Sequence, residues 1–171
     1  MPYRVDREER RGFTLVEIMV ALAIVGIVVM LATSTFRGMM EKYRVEGETK
    51  QMFADLMDAR GRAMQRNRAS FVQINGNDYQ TYEDTSPAPD GDGSLQNADT
   101  LITNAKVSRA IVTGDIAVPL SFNFNRNGIA SVTGFIRFSS TAQPDYDCIW
   151  IRATRIKMGQ YNATGNACAE K

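Results

Sequence analysis

Between Phe13 and Phe36 the chain reads FTLVEIMVALAIVGIVVMLATSTF, and from Ile18 to Ala32 no side chain is polar. Such a run approaches the ~20 residues with which an α-helix crosses the hydrocarbon core of a bilayer. A helix of a soluble domain ordinarily keeps a polar face, and this segment keeps none. Arg10 and Arg11 stand immediately before it. The positive-inside rule therefore puts the N-terminus in the cytoplasm and the remainder outside. Three plainer readings compete: a cleaved signal peptide with Ala32-Thr33-Ser34 as its small-residue cut site, a simple signal anchor, and a fully buried core helix.

Glu17 separates these readings. A carboxylate near the start of an unbroken apolar run costs ~2.5–3.5 kcal/mol at mid-membrane and less near the interface. An acid in such a place calls for a named partner. One is an α-amino group, available if a cut after Gly12 leaves Phe13 as a new N-terminus. The other account leaves Glu17 at headgroup level, merely solvated.

Arg10-Arg11-Gly12-Phe13-Thr14-Leu15-Val16-Glu17, followed by the apolar run, resembles the N-terminus of type IV pilins and type II secretion pseudopilins. The combination is a short basic leader ending in Gly, then Phe, then Glu five residues into the mature chain. Gly26 also falls where that family often has a glycine. The resemblance implies that residues 1–12 are a prepilin leader, cut between Gly12 and Phe13 by prepilin peptidase, and that Phe13 becomes N-methylated. It implies that the apolar helix is kept and later packs into a filament core, with Glu17 paired to the Phe13 amine of a neighbouring subunit. The sequence departs from the family at Ser34, where major pilins carry a helix-kinking proline.

Past Phe36 the chain becomes charged but keeps a helical period. Met52, Phe53, Leu56, Met57, Ala63 and Met64 recur on one stripe, most simply a face packed on a sheet. One long helix is expected over about residues 13–68, with 13–36 in membrane or filament and 37–68 amphipathic. Gly38, Gly47 and Gly61 each weaken it by about 1 kcal/mol relative to Ala. Residues 69–171 then read as a β-rich head. Phe71–Ile74 and Tyr79–Tyr82 flank an Asn75-Gly76-Asn77 turn, a strong hairpin cue. Glu83 to Thr100 reads as a loop rich in Pro, Gly, Asp and Ser. Further strands are expected at Lys106–Thr113, Leu120–Asn125, Ile129–Thr133, Phe135–Ser139 and Cys148–Lys157. The class is α+β: a long hydrophobic, transmembrane N-terminal helix packed on a C-terminal antiparallel sheet. The order of elements, with Leu120-Ser121-Phe122-Asn123 and Asn127-Gly128, is similar to minor pilins of the FimT/FimU/GspH group.

Composition excludes much chemistry. There is no histidine, so Ser-His-Asp and Cys-His catalysis and His-containing zinc sites are absent. No Ser-x-x-Lys spacing occurs. The chain is read as no enzyme, without cofactor, metal or small-molecule substrate. The 20 basic and 19 acidic residues are unevenly spread: residues 69–105 carry six acids and no base. Cys148 and Cys168 lie in the part that topology puts outside the cytoplasm, where a disulfide is the default. Free thiols are the alternative. Such a staple would restrain the tail 158–167 and stabilise by ~3 kcal/mol on loop-closure grounds. Minor pilins often carry a C-terminal staple, which favours a pilus over a secretion machine.

Three clusters remain. Asp90-Gly91-Asp92-Gly93-Ser94 hints at a calcium loop but lacks its ligand spacing, and a solvated acidic loop is the simpler account. Arg60, Arg62, Arg66 and Arg68 gather at the expected helix end, where cations suit the dipole. They suit a solvated end or the acidic patch of a neighbouring subunit. Arg152, Arg155 and Lys157 are candidate DNA contacts, because Thr154-Arg155-Ile156-Lys157 is similar to a Gly-Arg-x-Arg segment in DNA-binding members of the group. Lys keeps the charge but not bidentate phosphate geometry. A solvated strand face is the competing account.

The resemblance thus implies a minor pilin-like subunit for priming and assembly, at the tip complex of a type IV pilus. The alternatives are a DNA-binding minor pilin for DNA uptake and the H-type minor pseudopilin of type II secretion. Its implied partners are other major and minor pilins, prepilin peptidase and the inner-membrane assembly platform. Its implied location is the bacterial inner membrane, with a periplasmic head, and then the pilus or pseudopilus.

Overall fold

Fifty-two residues, Leu15–Arg66, form one α-helix, α1. The computed structural model describes residues 12–114 and 120–171, apart from the side chains of residues 32–35. Residues 1–11 of the expected leader, with Arg10 and Arg11, lie outside the described residues. Helix α1 runs through Gly38, Gly47 and Gly61 without interruption. It stops where Asn67 turns to a φ of 55° and the Arg68 N–H donates to the Ala63 carbonyl at 3.2 Å. That bond reaches five residues back and satisfies a carbonyl the helix leaves open, as in a Schellman cap. The chain forms two compact units, Met1–Gly38 and Met39–Lys171, divided inside α1.

In the second unit the buried positions of α1, besides Glu46, are Val45, Thr49, Met52, Leu56, Ala59 and Ala63. They alternate in steps of four and three, the spacing that keeps one face of a helix on a neighbour. The face differs from the stripe read in the sequence. Met52, Leu56 and Ala63 of that stripe are buried, but Met57 and Met64 are 41% and 49% exposed, and the small residue Ala59 takes a core position instead. A small side chain lets a sheet approach the helix closely, which a hydrophobicity pattern favouring large residues does not register.

Among the described residues nine strands follow in two antiparallel sheets. The first contains β1 (Ser70–Asn75), β2 (Asp78–Glu83), β3 (Thr100–Lys106) and β5 (Leu120–Phe124), in the order β3-β2-β1-β5. The second contains β4 (Ile111–Thr113), β6 (Gly134–Phe138), β7 (Cys148–Arg152), β8 (Arg155–Asn162) and β9 (Ala167–Glu170), in the order β4-β6-β7-β8-β9. Val72, Ile74 and Phe122 from the first sheet and Ile136, Ile149 and Ile151 from the second share one core with Met52 and Leu56 of α1. The buried Tyr79 hydroxyl donates to Asp55 of α1 at 2.5 Å. Burial, and then that bond, push its titration upward.

Several expected strands are redrawn. Lys106–Thr113 is the end of β3 and the separate β4, and β3 begins at Thr100, at the end of the expected loop. Cys148–Lys157 is two strands, β7 and β8, folded back so that Arg152 faces Arg155. The expected strand Ile129–Thr133 is an isolated bridge between Ala130 and Phe124. The first hairpin turns on Gly76-Asn77, since Asn75 pairs with Asp78 and Gly76 takes a φ of +62°. The tail after Met158 is not a loop but the β8–β9 hairpin.

Leu56→Ala is expected to lower the unfolding free energy by ~2–5 kcal/mol, the range for truncating a fully buried leucine. Met57→Ala, one position on, should change it by less than ~0.5 kcal/mol. Denaturant melts of the full chain in detergent measure both, and equal losses would contradict the assigned face.

Candidate functional site

The N-terminal unit is built around the start of α1. Thr14 is the cap: its hydroxyl accepts the Glu17 N–H at 3.2 Å, and its carbonyl accepts the Ile18 N–H at 3.2 Å. A hydroxyl at this position satisfies one of the donors that the first helical turn leaves open. Thr14 and Glu17 have the spacing of a capping box, a sequence signal that could have identified Thr14 as the residue that starts the helix. Glu17 lies in the first turn, where a negative charge also suits the helix dipole. Phe13, ahead of the cap, is 79% exposed.

From Ile18 to Leu31 every residue is exposed within the chain. The most apolar window of α1 has a mean hydropathy of 2.8 and none of it is buried. The buried-core reading of this segment fails on that observation. An apolar surface of this length has to be covered by lipid or by other protein chains.

A family model describing a prokaryotic N-terminal methylation motif matches residues 9–33. Over these residues the chain is similar to the N-termini of type IV pilin-like proteins. No curated protein and no solved structure matches the chain. The match covers Gly12, Phe13 and Glu17 and the apolar run to Thr33, and leaves the head to be read from its own geometry.

The head carries its disulfide on the outer face of the second sheet. Cys148 of β7 and Cys168 of β9 are joined, and β8 lies between those strands. Gly159 of β8 sits in register with Cys148. A Cβ there would come within 2.2 Å of the Ala169 carbonyl oxygen and 3.0 Å of Cys168 Sγ. The glycine therefore gives the bridge room to pass over β8. Phe135 packs beside both cysteines, with Trp150 and Tyr161 against it. The sequence cue for this arrangement, one glycine in an otherwise ordinary strand, indicates a close approach without naming what approaches.

Of the three candidate cations on the same face, Arg152 and Lys157 are drawn onto one carboxylate, while Arg155 is exposed with no side-chain hydrogen bond or ion pair among the described residues. Glu170 of β9 accepts from Lys157 Nζ at 2.6 Å and lies 4.0 Å from Arg152. The Arg152 guanidinium also rests 5.3 Å from the centre of the Trp150 ring. The bond from Lys157 is the main reason the Glu170 carboxyl titrates below its ordinary range.

The acids and arginines near the helix end are likewise paired within the chain. Arg66 and Arg68 reach Glu83 at 3.1 and 3.5 Å, and Arg62 pairs with Asp58 at 2.6 Å. The pairing anticipated with a neighbouring subunit is thus largely intramolecular, through Glu83, which is almost fully buried. The loop 84–99 is pinned by inward carboxylates rather than open toward a cation. Asp84 accepts the Gly93 N–H at 2.7 Å and the Asp92 N–H at 3.3 Å. Asp99 accepts from the backbone N–H groups of Thr85, Ser86 and Gln96.

Asp147, buried beside the disulfide hairpin, accepts the Tyr161 N–H at 2.6 Å. Burial pushes its carboxyl above the ordinary aspartate range; the backbone bonds and the charges of Arg137 and Lys171 only partly oppose that shift. A folded-state value above the unfolded one means that the fold favours the protonated form. This group's contribution is therefore best at low pH and is lost as pH rises through the shifted value. Asp147→Asn, which keeps an oxygen for Tyr161, should remove that loss. The melting temperature of the variant minus that of the parent is expected to increase as pH is raised from about 3 to 7. A difference that falls with pH would contradict the direction of the shift.

Proposed function

We propose that the chain is a minor pilin-like structural subunit that takes part in priming and assembly of a type IV pilus, within its tip complex. The observation that carries this reading is the apolar helix that finds no cover within its own chain and carries Glu17 in its first turn. In the methylation-motif context, prepilin peptidase cuts between Gly12 and Phe13, and Phe13 is then N-methylated. The helix waits in the inner membrane with the head on the periplasmic side. It then enters a filament, where lipid is replaced by the helices of other pilin subunits. Glu17 takes the positive N-terminus of a neighbouring subunit as its partner. The stapled C-terminal hairpin supports a pilus subunit over the H-type pseudopilin of type II secretion. The DNA-receptor reading draws less support, because Glu170 already engages Lys157 and Arg152.

Glu17→Ala is the direct test. The variant is expected to insert in the membrane and be cut before Phe13, but to be lost from, or strongly reduced in, the sheared filament fraction. Mass spectrometry of the membrane-bound protein checks the cut and the added methyl group. Undiminished recovery of the variant in filaments would leave a plain anchor as the better account.

A further inference from the structure

The first sheet has two faces of opposite chemistry. Val72, Ile74, Tyr79 and Phe122 point into the core, so the alternate residues of the same strands point away from it. The register aligns Ser121, Gln73, Gln80 and Asn104 in a single row across all four strands. Every member of that row is uncharged and both donates and accepts hydrogen bonds. A neighbouring row brings Asn75 beside Asp78 and Asp78 opposite Lys106.

These side chains line a hollow of about 520 Å³, walled by Gln73, Asn75, Asp78, Gln80, Asn104 and Lys106. Small-ligand sites run from roughly 300 to 1,000 Å³. One side of the hollow is held in place. Gln80 Nε2 donates to Asn104 Oδ1 at 3.2 Å, and the Tyr82 hydroxyl donates to Gln80 Oε1 at 2.7 Å. The other side is unspent. Among the described residues the side-chain amides of Gln73 and Asn75 have no hydrogen-bond partner, and Asp78 and Lys106 form no ion pair although they face each other.

The chemistry of the lining selects the ligand. A nucleic acid or a phosphorylated ligand asks for several cations, and here one lysine stands beside one aspartate. An apolar ligand or the centre of a protein interface asks for aliphatic or aromatic side chains, and the hollow has none in its wall. What fits is a neutral ligand dense in hydroxyl groups. A carboxamide presents a donor and an acceptor in one plane, so it takes one hydroxyl of a vicinal pair on its NH₂ and the other on its oxygen. Asp78 adds an acceptor and Lys106 a donor without changing the net charge. We propose that this outer face of the first sheet binds a neutral carbohydrate, a short stretch of a glycan chain. This ligand role is separate from the assembly role of the helix and does not depend on it.

The test uses the full chain in a zwitterionic detergent that has no sugar headgroup. Maltotriose, cellotriose and triacetylchitotriose are titrated as neutral probes and trigalacturonate as the anionic one. At least one neutral trisaccharide is expected to bind with a dissociation constant below about 1 mM. Gln73→Ala and Asn104→Ala should each weaken that binding by about tenfold or more while the melting temperature stays unchanged. A preference for the acetylated probe over the two glucans would assign the amides to N-acetylated sugars, and the reverse to plain hexose chains. The proposal is overturned if no neutral probe binds at about 10 mM, if both variants bind undiminished, or if trigalacturonate binds best. It is also overturned if Gln73→Cys crosslinks to a second pilin-like subunit while none of the sugars binds.

Discussion

The constraint on which the rest depends is that one helix must satisfy two different surroundings along its length. Over Ile18–Leu31 it is apolar on every side and buries none of that surface within its own chain. Over Val45–Ala63 it is apolar on one face only, and that face forms one core with both sheets. Side chains can change from one regime to the other within a continuous helix because backbone hydrogen bonding is internal to it. Helix is one of the few structures that tolerate hydrocarbon and water alike. The division between the two compact units falls at Gly38, inside α1, where the apolar run has given way to charge.

In the head, the same requirement to bury one helix face determines how the sheets are used. Each contributes its apolar face to the shared core, leaving one outward face apiece, and the two outward faces differ. That of the second sheet is occupied by its own chemistry: the Cys148–Cys168 bridge, the Phe135 and Trp150 rings stacked at 5.9 Å, and cations drawn onto Glu170. That of the first sheet carries amides, half of them without partners. A surface that satisfies itself and one that does not are different propositions for binding, even when their hydrophobicity is similar.

The long helix, the first hairpin and the separation into helix and head are legible in the sequence because each rests on a periodic or local signal. An apolar run needs only counting, and Asn-Gly-Asn between two short alternating segments marks a turn even when its register is off by one residue. The misses have physical reasons too. The β7–β8 hairpin turns at Ala153-Thr154, residues with no turn preference, so the flanking apolar stretches read as one strand. Strand β3, at the edge of its sheet, is mostly polar and only half covered, so it lacks the alternation that identifies β5. Strand β9 is four residues long and is held by pairing with β8 and by Cys168, which are non-local facts. Arg66 and Arg68 at the helix end look free for a neighbour only because Glu83, their partner, lies in the second strand.

Glu17 is the residue whose local role and proposed assembly role have to be weighed against each other. Its position in the first turn is favourable on its own: a negative charge there gains ~0.3–1 kcal/mol from the helix dipole, and the Thr14 hydroxyl satisfies its backbone N–H. Those terms are smaller than the ~2.5–3.5 kcal/mol for an ionised carboxylate at mid-membrane. They come closer to balancing if the first turn sits near the interface, where water still reaches it. The carboxylate itself has no hydrogen bond or ion pair among the described residues. Under the proposed function, interface water offsets its burial before assembly, and a filament core would offer no such water. An unpaired carboxylate there would be penalised far more than at the interface, and one paired with a neighbour's amine far less. On that proposal the same charge that is tolerable in the membrane would become selective in a filament, rewarding the arrangement that brings a second N-terminus within reach and opposing those that do not.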